Sequence, residues 1–459
     1  MSDKTIAEDI AGFGAGLKFS DLPGEVVHEA KRRIIDALGC AMGAYNSPPL
    51  HAIRKTAQAV KEGYKASIIG CGRCYSPDFA AFANGAMIRY LDFNDTYLSR
   101  EPAHPSDNIA ACLAASEAEG RSGKDFITAV AAAYEVQMRL CDAASLRSKG
   151  FDHVTYGAFS STLAASMLLG LDKQETVHAL GMAGAASPRL RQTRAGEISM
   201  WKGCAFADIA RNAVFYAMLA HAGITGPSPV FEGEFGLFKV ITGEFALKGL
   251  AKAVAAGKFK LPESYIKYFP AEYHSQSAII AAIELSEEIE DIENIKSITV
   301  DTFTAAYEII GSGAEKFRPK TRETADHSMP FIVASAMLDR DITVDSFSPE
   351  RLSDARLISL MDKITIKKDK ALDAMYPEAM PNRVEALLNT GESVSREVIY
   401  PKGHPKNALT DREVEEKFKR LGEWYFTGKE ASAVLSSLWG IENVKDMTEV
   451  TRLFARPGK

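Results

Sequence analysis

The chain has 459 residues, 54 basic and 60 acidic, for a net charge of −6, with 46% hydrophobic and 25% charged residues. This length predicts two domains, or one large domain carrying an insertion, of an ordinary soluble kind. No block of five like charges occurs, which excludes a nucleic-acid groove, and no apolar run approaches the roughly 18 residues of a membrane span.

The opening MSDKTIAEDIAGFGAG has early acids, no basic leader and no arginine, so no export or mitochondrial signal is read there and a cytoplasmic location is expected. Cysteines are sparse, and Cys71 and Cys74 form the one CxxC, in IIGCGRCYSPD. A zinc site would need a second pair or nearby histidines at ligand spacing, and none follows. A glycine-containing turn after a short strand is the expectation. An iron–sulfur cluster completed by a distant cysteine is the functional alternative.

LDFNDTYLSREPAHPSDN, residues 91–108, is the densest polar stretch. FANGAMIRYLDF before it reads as helix, which would set Asp92 and Asp95 on one face. Pro105 biases His104 towards extended backbone, and Ser106-Asp107-Asn108 reads as the N-cap cluster of the helix IAACLAASEAEG. His104 would then stand at a helix N-terminus, which favours a neutral imidazole and attracts carboxylate. The alternative is a solvated capping loop.

DFITAVAAAYEVQMRLCDAA and FADIARNAVFYAMLAHAG are alanine-rich, with apolar spacing of three and four, as in the interior of a helical bundle. Between them, GFDHVTYGAF sets Asp152 and His153 at the entry to an apolar helix. As sequence neighbours their side chains are expected to diverge. SPRLRQTRAGEISMWKG brings Arg189, Arg191, Arg194 and Lys202 together. The arginines suit carboxylates or phosphates, while Lys202, in an apolar helix start, must snorkel or meet a buried anion. YIKYFPAEYHSQSAI then carries Lys267, Glu272, His274 and Ser275 at a domain junction, where small-molecule clefts form.

Beyond residue 265 the pattern changes. NIKSITVDTF and LMDKITIKKD alternate as strands, and RVEALLNTGESVSREVIY reads as two strands around an Asn-Thr-Gly turn. Tyr307, Asp326 and His327 are the polar candidates of this part. LTDREVEEKFKRL returns to helix, with Thr410 and Glu413 in capping-box spacing. The expected fold is therefore mainly α: a large all-helical domain from residues 1–265 and 404–459, with a smaller α+β domain, 266–403, inserted. No GxGxxG, P-loop, HExxH or GxSxG stands in a convincing context. Basic forks, two lysines and two histidines suit an anionic, multi-carboxylate metabolite.

LDFNDTYLSREPAHPSDN, GFDHVTYGAFSST, SMWKGCAFADIARNAVFYAMLAHAGITGP with FEGEFG, and KYFPAEYHSQSAI, in that order, resemble the MmgE/PrpD family over nearly the whole chain. The resemblance implies the inserted α+β domain as a lid, a homodimer, and no cofactor or metal. It counts further against a cluster at Cys71 and Cys74. The family includes dehydratases of 2-methylcitrate and citrate, a cis-aconitate decarboxylase and an iminodisuccinate epimerase, which share proton transfer beside a carboxylate. Carried over, its pocket falls on Asp92, Thr96, His104, His153, Lys202, Lys267 and Tyr307. To these the basic loop and the junction add Arg191 and His274 as substrate-binding candidates. DFNDT with HPSDN, GFDHV and FPAEYHSQ is most similar to the methylcitrate dehydratase branch. In the decarboxylase branch the histidine follows Gly-Phe directly, whereas here Asp152 intervenes. The expected activity is dehydration of a 2-methylcitrate-type tricarboxylate by acid–base chemistry, with His104 as base or acid. Decarboxylation, epimerisation and carboxylate binding without turnover are the alternatives.

Overall fold

The computed structural model describes residues 5–47, 50, 65–71, 74–247, 249–250 and 256–455. Helices dominate: α1 (Ile6–Gly16), α2 (Gly24–Ala44), α3 (Pro77–Tyr90), α4 (Ile109–Ala118), α5 (Gly123–Ala143), α6 (Val154–Leu169), α7 (Lys173–Ala186) and α8 (Trp201–His221). Capping boxes set several starts, among them Thr5 with Glu8 and Ser122 with Asp125, which satisfy otherwise orphaned N–H groups. Small residues let the helices approach closely. A Cβ at Gly85 would lie 3.1 Å from Ala207 Cα, so α3 and α8 cross nearly backbone to backbone.

Two buried cores divide the side chains. The first gathers residues from Ile6 to Leu261, Ile266, and the returning segment Leu409–Phe454. The second gathers Leu98, Tyr265 and residues from Phe269 to Ala386. It lies under a four-stranded sheet of order β4-β3-β5-β6, built from β3 (Ile295–Thr302), β4 (Ile364–Lys368), β5 (Asn382–Leu388) and β6 (Ser393–Val398). β3 runs parallel to β4 and antiparallel to β5, with Val300 opposite Ile366 and Val384. Ile298, Val300 and Thr302 alternate inward. The helices α9 (Gln276–Glu288) and α10 (Met329–Asp339) pack with this sheet. The expected hairpin joins β5 and β6, and Gly391 takes the positive φ of 89° that its turn needs.

α11 (Asp411–Gly422) starts at the expected Thr410–Glu413 capping box and packs on α2. From it the buried Lys417 reaches back into the bundle. Its Nζ pairs with Asp36 Oδ1 at 2.5 Å and donates to the carbonyls of Phe93, at 2.7 Å, and Lys267, at 2.9 Å. Ile69 and Gly70 turn after the short strand β1 (Ala66–Ser67), which pairs antiparallel with β2 (Cys74–Tyr75); the middle of the CxxC, Gly72 and Arg73, lies outside the described residues. Cys71 is a free thiol, whereas the Cys74 side chain lies outside the described residues. Among the described residues no helix is long and apolar enough to cross a membrane.

Candidate active site

The centre of the site is Asp92, and its backbone corrects one expectation. α3 stops at Tyr90 rather than running through Phe93, and Asp92 takes the left-handed conformation at φ 51°. Asp92 and Asp95 therefore do not share a helix face. Aspartate tolerates this conformation better than most residues, and three cations then converge on its carboxylate. Arg89 Nη1 pairs with Oδ1, Lys267 Nζ lies 3.0 Å from Oδ1, and Lys202 Nζ lies 3.3 Å from Oδ2. Lys267 also donates to the Asp92 carbonyl at 2.8 Å. Burial opposes charge on Asp92, but Arg89, Lys202 and Lys267 outweigh it and hold the carboxyl well below its ordinary range. Burial outweighs the same pairing at Lys267 and depresses its ammonium. Asp95 turns elsewhere, accepting from the Ser106 N–H at 2.9 Å and from Tyr134 Oη at 2.7 Å.

Lys202 meets the buried anion that its apolar surroundings demand. Its Nζ lies 3.2 Å from Asp326 Oδ1 and 3.1 Å from His327 Nδ1, as well as beside Asp92. Among the described residues, Asp92, Asp326 and His327 are the one trio with ligand atoms close enough, within 4.8 Å, to hold a metal ion. The Lys202 ammonium stands between them. It already supplies the positive charge a cation would bring, so the trio fits a lysine better than a metal.

His104 precedes a 3-10 turn, Pro105–Asn108, that runs directly into α4. The expected Ser-Asp-Asn cap is not made. Ser106 and Asp107 instead accept from the Asn94 amide, and Asn108 Nδ2 donates to the Pro105 carbonyl. Nδ1 of His104 lies 2.8 Å from the Asp95 carbonyl, which can only accept. Nδ1 therefore carries the hydrogen, and Nε2 accepts from Arg89 Nη2 at 2.9 Å. Burial, reinforced by the Arg89 charge, pushes the imidazole well below its ordinary range and keeps it neutral. His153 lies ring to ring with it, centroids 5.5 Å apart.

Asp152 and His153 do touch, against expectation. Asp152 Oδ1 is 3.1 Å from His153 Nδ1, and Arg194 Nε donates to Asp152 Oδ2 at 2.8 Å. They sit in the turn before α6, where neighbouring side chains need not diverge as they do within a helix. His153 Nε2 has only a long contact, 3.5 Å from Arg194 Nη2. Burial pushes His153 down to about 3 despite Asp152. In the unfolded chain it would titrate near 6.5, so stability should fall with pH between about 6.5 and 3. Over the first 1.5 units this costs about 2 kcal/mol. Urea unfolding at pH 6.5 and 5.0 should show His153→Gln losing less than the wild type by that amount.

These groups face a cavity of about 310 Å³ between the two cores. Asp92, Thr96, His104, His153, Arg191, Lys267 and His274 all line it. Thr96 Oγ1 donates to the Ala103 carbonyl at 3.1 Å, and its backbone bridges Tyr265. His274 Nδ1 lies 2.6 Å from Glu272 Oε1, while its buried Nε2 has no partner among the described residues. Two expected residues stand apart from the lining. Lys202 lies behind the wall against Asp92, and the Tyr307 ring lies beneath Lys368 Nζ, 5.0 Å from its centroid. Sequence reasoning missed Arg89, Arg147 and Lys316, which also line the cavity. Only Arg89 left a signal: an arginine inside an apolar helix, three positions before Asp92.

Residues 8–249 match the MmgE/PrpD N-terminal domain and residues 269–440 the MmgE/PrpD C-terminal domain. The chain is 30% identical to a 2-methylcitrate dehydratase of Escherichia coli (strain K12), covering 81% of each chain. It is 29% identical to a 2-methylcitrate dehydratase of Cupriavidus necator, over 89% of this chain and 88% of that one. A cis-aconitate decarboxylase-like protein of Aspergillus oryzae is 26% identical over 98% of this chain and 97% of its own.

Proposed function

The chain belongs to the MmgE/PrpD family, and we propose that it is a hydro-lyase that dehydrates 2-methylcitrate to the corresponding aconitate without a metal. The observation that carries this reading is the pairing of two neutral histidines with a buried cationic floor in one cavity. A base removes the proton from the carbon beside a carboxylate. The electron pair becomes the double bond, and the neighbouring hydroxyl takes a proton and leaves as water.

His104 and His153 face the cavity and both stay neutral, so either can take the proton as base; the imidazolium so formed is the acid that returns it to the leaving hydroxyl. When Arg89 releases Nε2 of His104 to bind a substrate carboxylate, that nitrogen gains a free lone pair. Arg89 and Lys267 then stabilise the enolate-like charge, while Lys202 acts through Asp92. Thr96 and Asp92 hold this machinery in orientation, and Arg191 and His274 bind substrate. Residues 266–403, with their own core, form the lid over it.

Decarboxylation of cis-aconitate is the second reading, favoured by the Aspergillus oryzae relative. Asp152, inserted before His153 and touching its Nδ1, weighs against it. A panel of 2-methylcitrate, citrate, isocitrate and cis-aconitate, with products identified by mass spectrometry, tests both. Water loss from 2-methylcitrate is expected; carbon dioxide from cis-aconitate, with no dehydration, would reverse the order.

A further inference from the structure

Half of the six lysines and arginines that line the cavity already have a carboxylate partner. Arg89 and Lys267 share Asp92, and Arg194 pairs with Asp152. Three others that line it, Arg147, Arg191 and Lys316, have neither an ion pair nor a side-chain hydrogen bond among the described residues. Exposed lysines and arginines need no partner, but Lys316 is only 6% exposed and Arg191 is half-buried. Burial depresses both, and Arg147 adds repulsion at Arg191. Glu315 is the acid nearest in charge to Lys316, but it forms no ion pair with it.

The arginines sit on turns built to hold them. Buried Glu101 accepts from Ser145 Oγ and from the N–H groups of Leu146 and Arg147 at 2.7–3.1 Å, fixing the 3-10 turn Arg147–Lys149. The turn Arg191–Arg194 is tied to that region through Arg191 N–H to Gly150 O at 2.9 Å and Asp152 N–H to Arg189 O at 2.7 Å. Lys316 comes from the opposite side, from a short helix beside the second core, its carbonyl accepting from Ser328 Oγ.

We propose that Arg147, Arg191 and Lys316 form a carboxylate-anchoring subsite, in which a ligand's outer carboxylates supply the counter-charges these cations lack, drawing the two halves of the cavity together. Catalytic cations and anchoring cations are then separate sets. The first is paired internally with Asp92; the second is paired only when ligand is bound. Selectivity for tricarboxylates over dicarboxylates follows, because a ligand with fewer carboxylates leaves a buried cation unpaired. The inference rests on the proposed function for the ligand class, not for the reaction.

Propane-1,2,3-tricarboxylate lacks the hydroxyl that dehydration removes and is the probe. By calorimetry the wild type should bind it, and Arg147→Gln, Arg191→Gln and Lys316→Gln should each weaken binding by at least about tenfold. Glutarate, with two carboxylates, should bind the wild type more weakly. Arg147→Lys and Arg191→Lys, which keep the charge but lose the fork, should fall between wild type and the glutamine variants. No binding by the wild type, or equal binding by wild type, lysine and glutamine variants, would overturn the proposal. Binding lost in the variants, with no turnover of 2-methylcitrate by the wild type, would uphold the subsite and reject the dehydratase reading.

Discussion

Asp92→Asn should be both nearly inactive and strongly destabilised, by about 3–5 kcal/mol, the cost of leaving buried charge without its partner. Arg89, Lys202 and Lys267 are 2%, 3% and 1% exposed, and all three converge on this one carboxylate. Asparagine adopts left-handed backbone readily, so the substitution removes charge without straining the turn at φ 51°. The loss should depend on pH. Burial already depresses Lys267, and without Asp92 it sheds its proton at lower pH still. A neutral amine is cheaper to bury, so the deficit should shrink as pH rises. Urea unfolding of both proteins between pH 6 and 9 reads this directly, and a constant difference, or none, would show that other groups balance the cations.

His104→Gln should fold normally and lose activity by about 10²–10⁴-fold. Glutamine can still donate to the Asp95 carbonyl and accept from Arg89, the two contacts of the imidazole. What it cannot do is carry a proton. Turnover of 2-methylcitrate near the wild-type rate in a folded variant would remove His104 from the chemistry. The wild-type rate should also be flat through pH 6.5, because burial and Arg89 keep this histidine neutral well below its ordinary range.

Part of the lining was legible because polar side chains in an alanine-rich chain have few structural reasons to be there, whereas Arg89, Arg147 and Lys316 went unread. His104, His153, Lys267 and Thr96 all face the cavity that their motifs imply. So was the fold class, since the period changes from helical to alternating near residue 265, and the four strands fall on the segments that alternate. What escaped the sequence was pairing at long range. Lys202 meets Asp326 across 124 positions, and no local pattern encodes that distance. The break of α3 at Asp92 was hidden for another reason. Left-handed turns are usually marked by glycine, and here three cations stabilise one at an aspartate. Tyr307 carries no local sign that its ring turns to Lys368 rather than inward.

Lys417 sets the order in which the centre can be completed. Its ammonium ties Phe93, next to Asp92, to Lys267, and it lies 324 positions after the first and 150 after the second. At 5–20 residues per second, a ribosome delivers that ammonium roughly 15–65 s after Phe93. Until then Asp36 has no lysine beside it, and the two carbonyls have no common donor. The link that Lys417 makes between the Asp92 turn and Lys267 can therefore form only after α11 has been made.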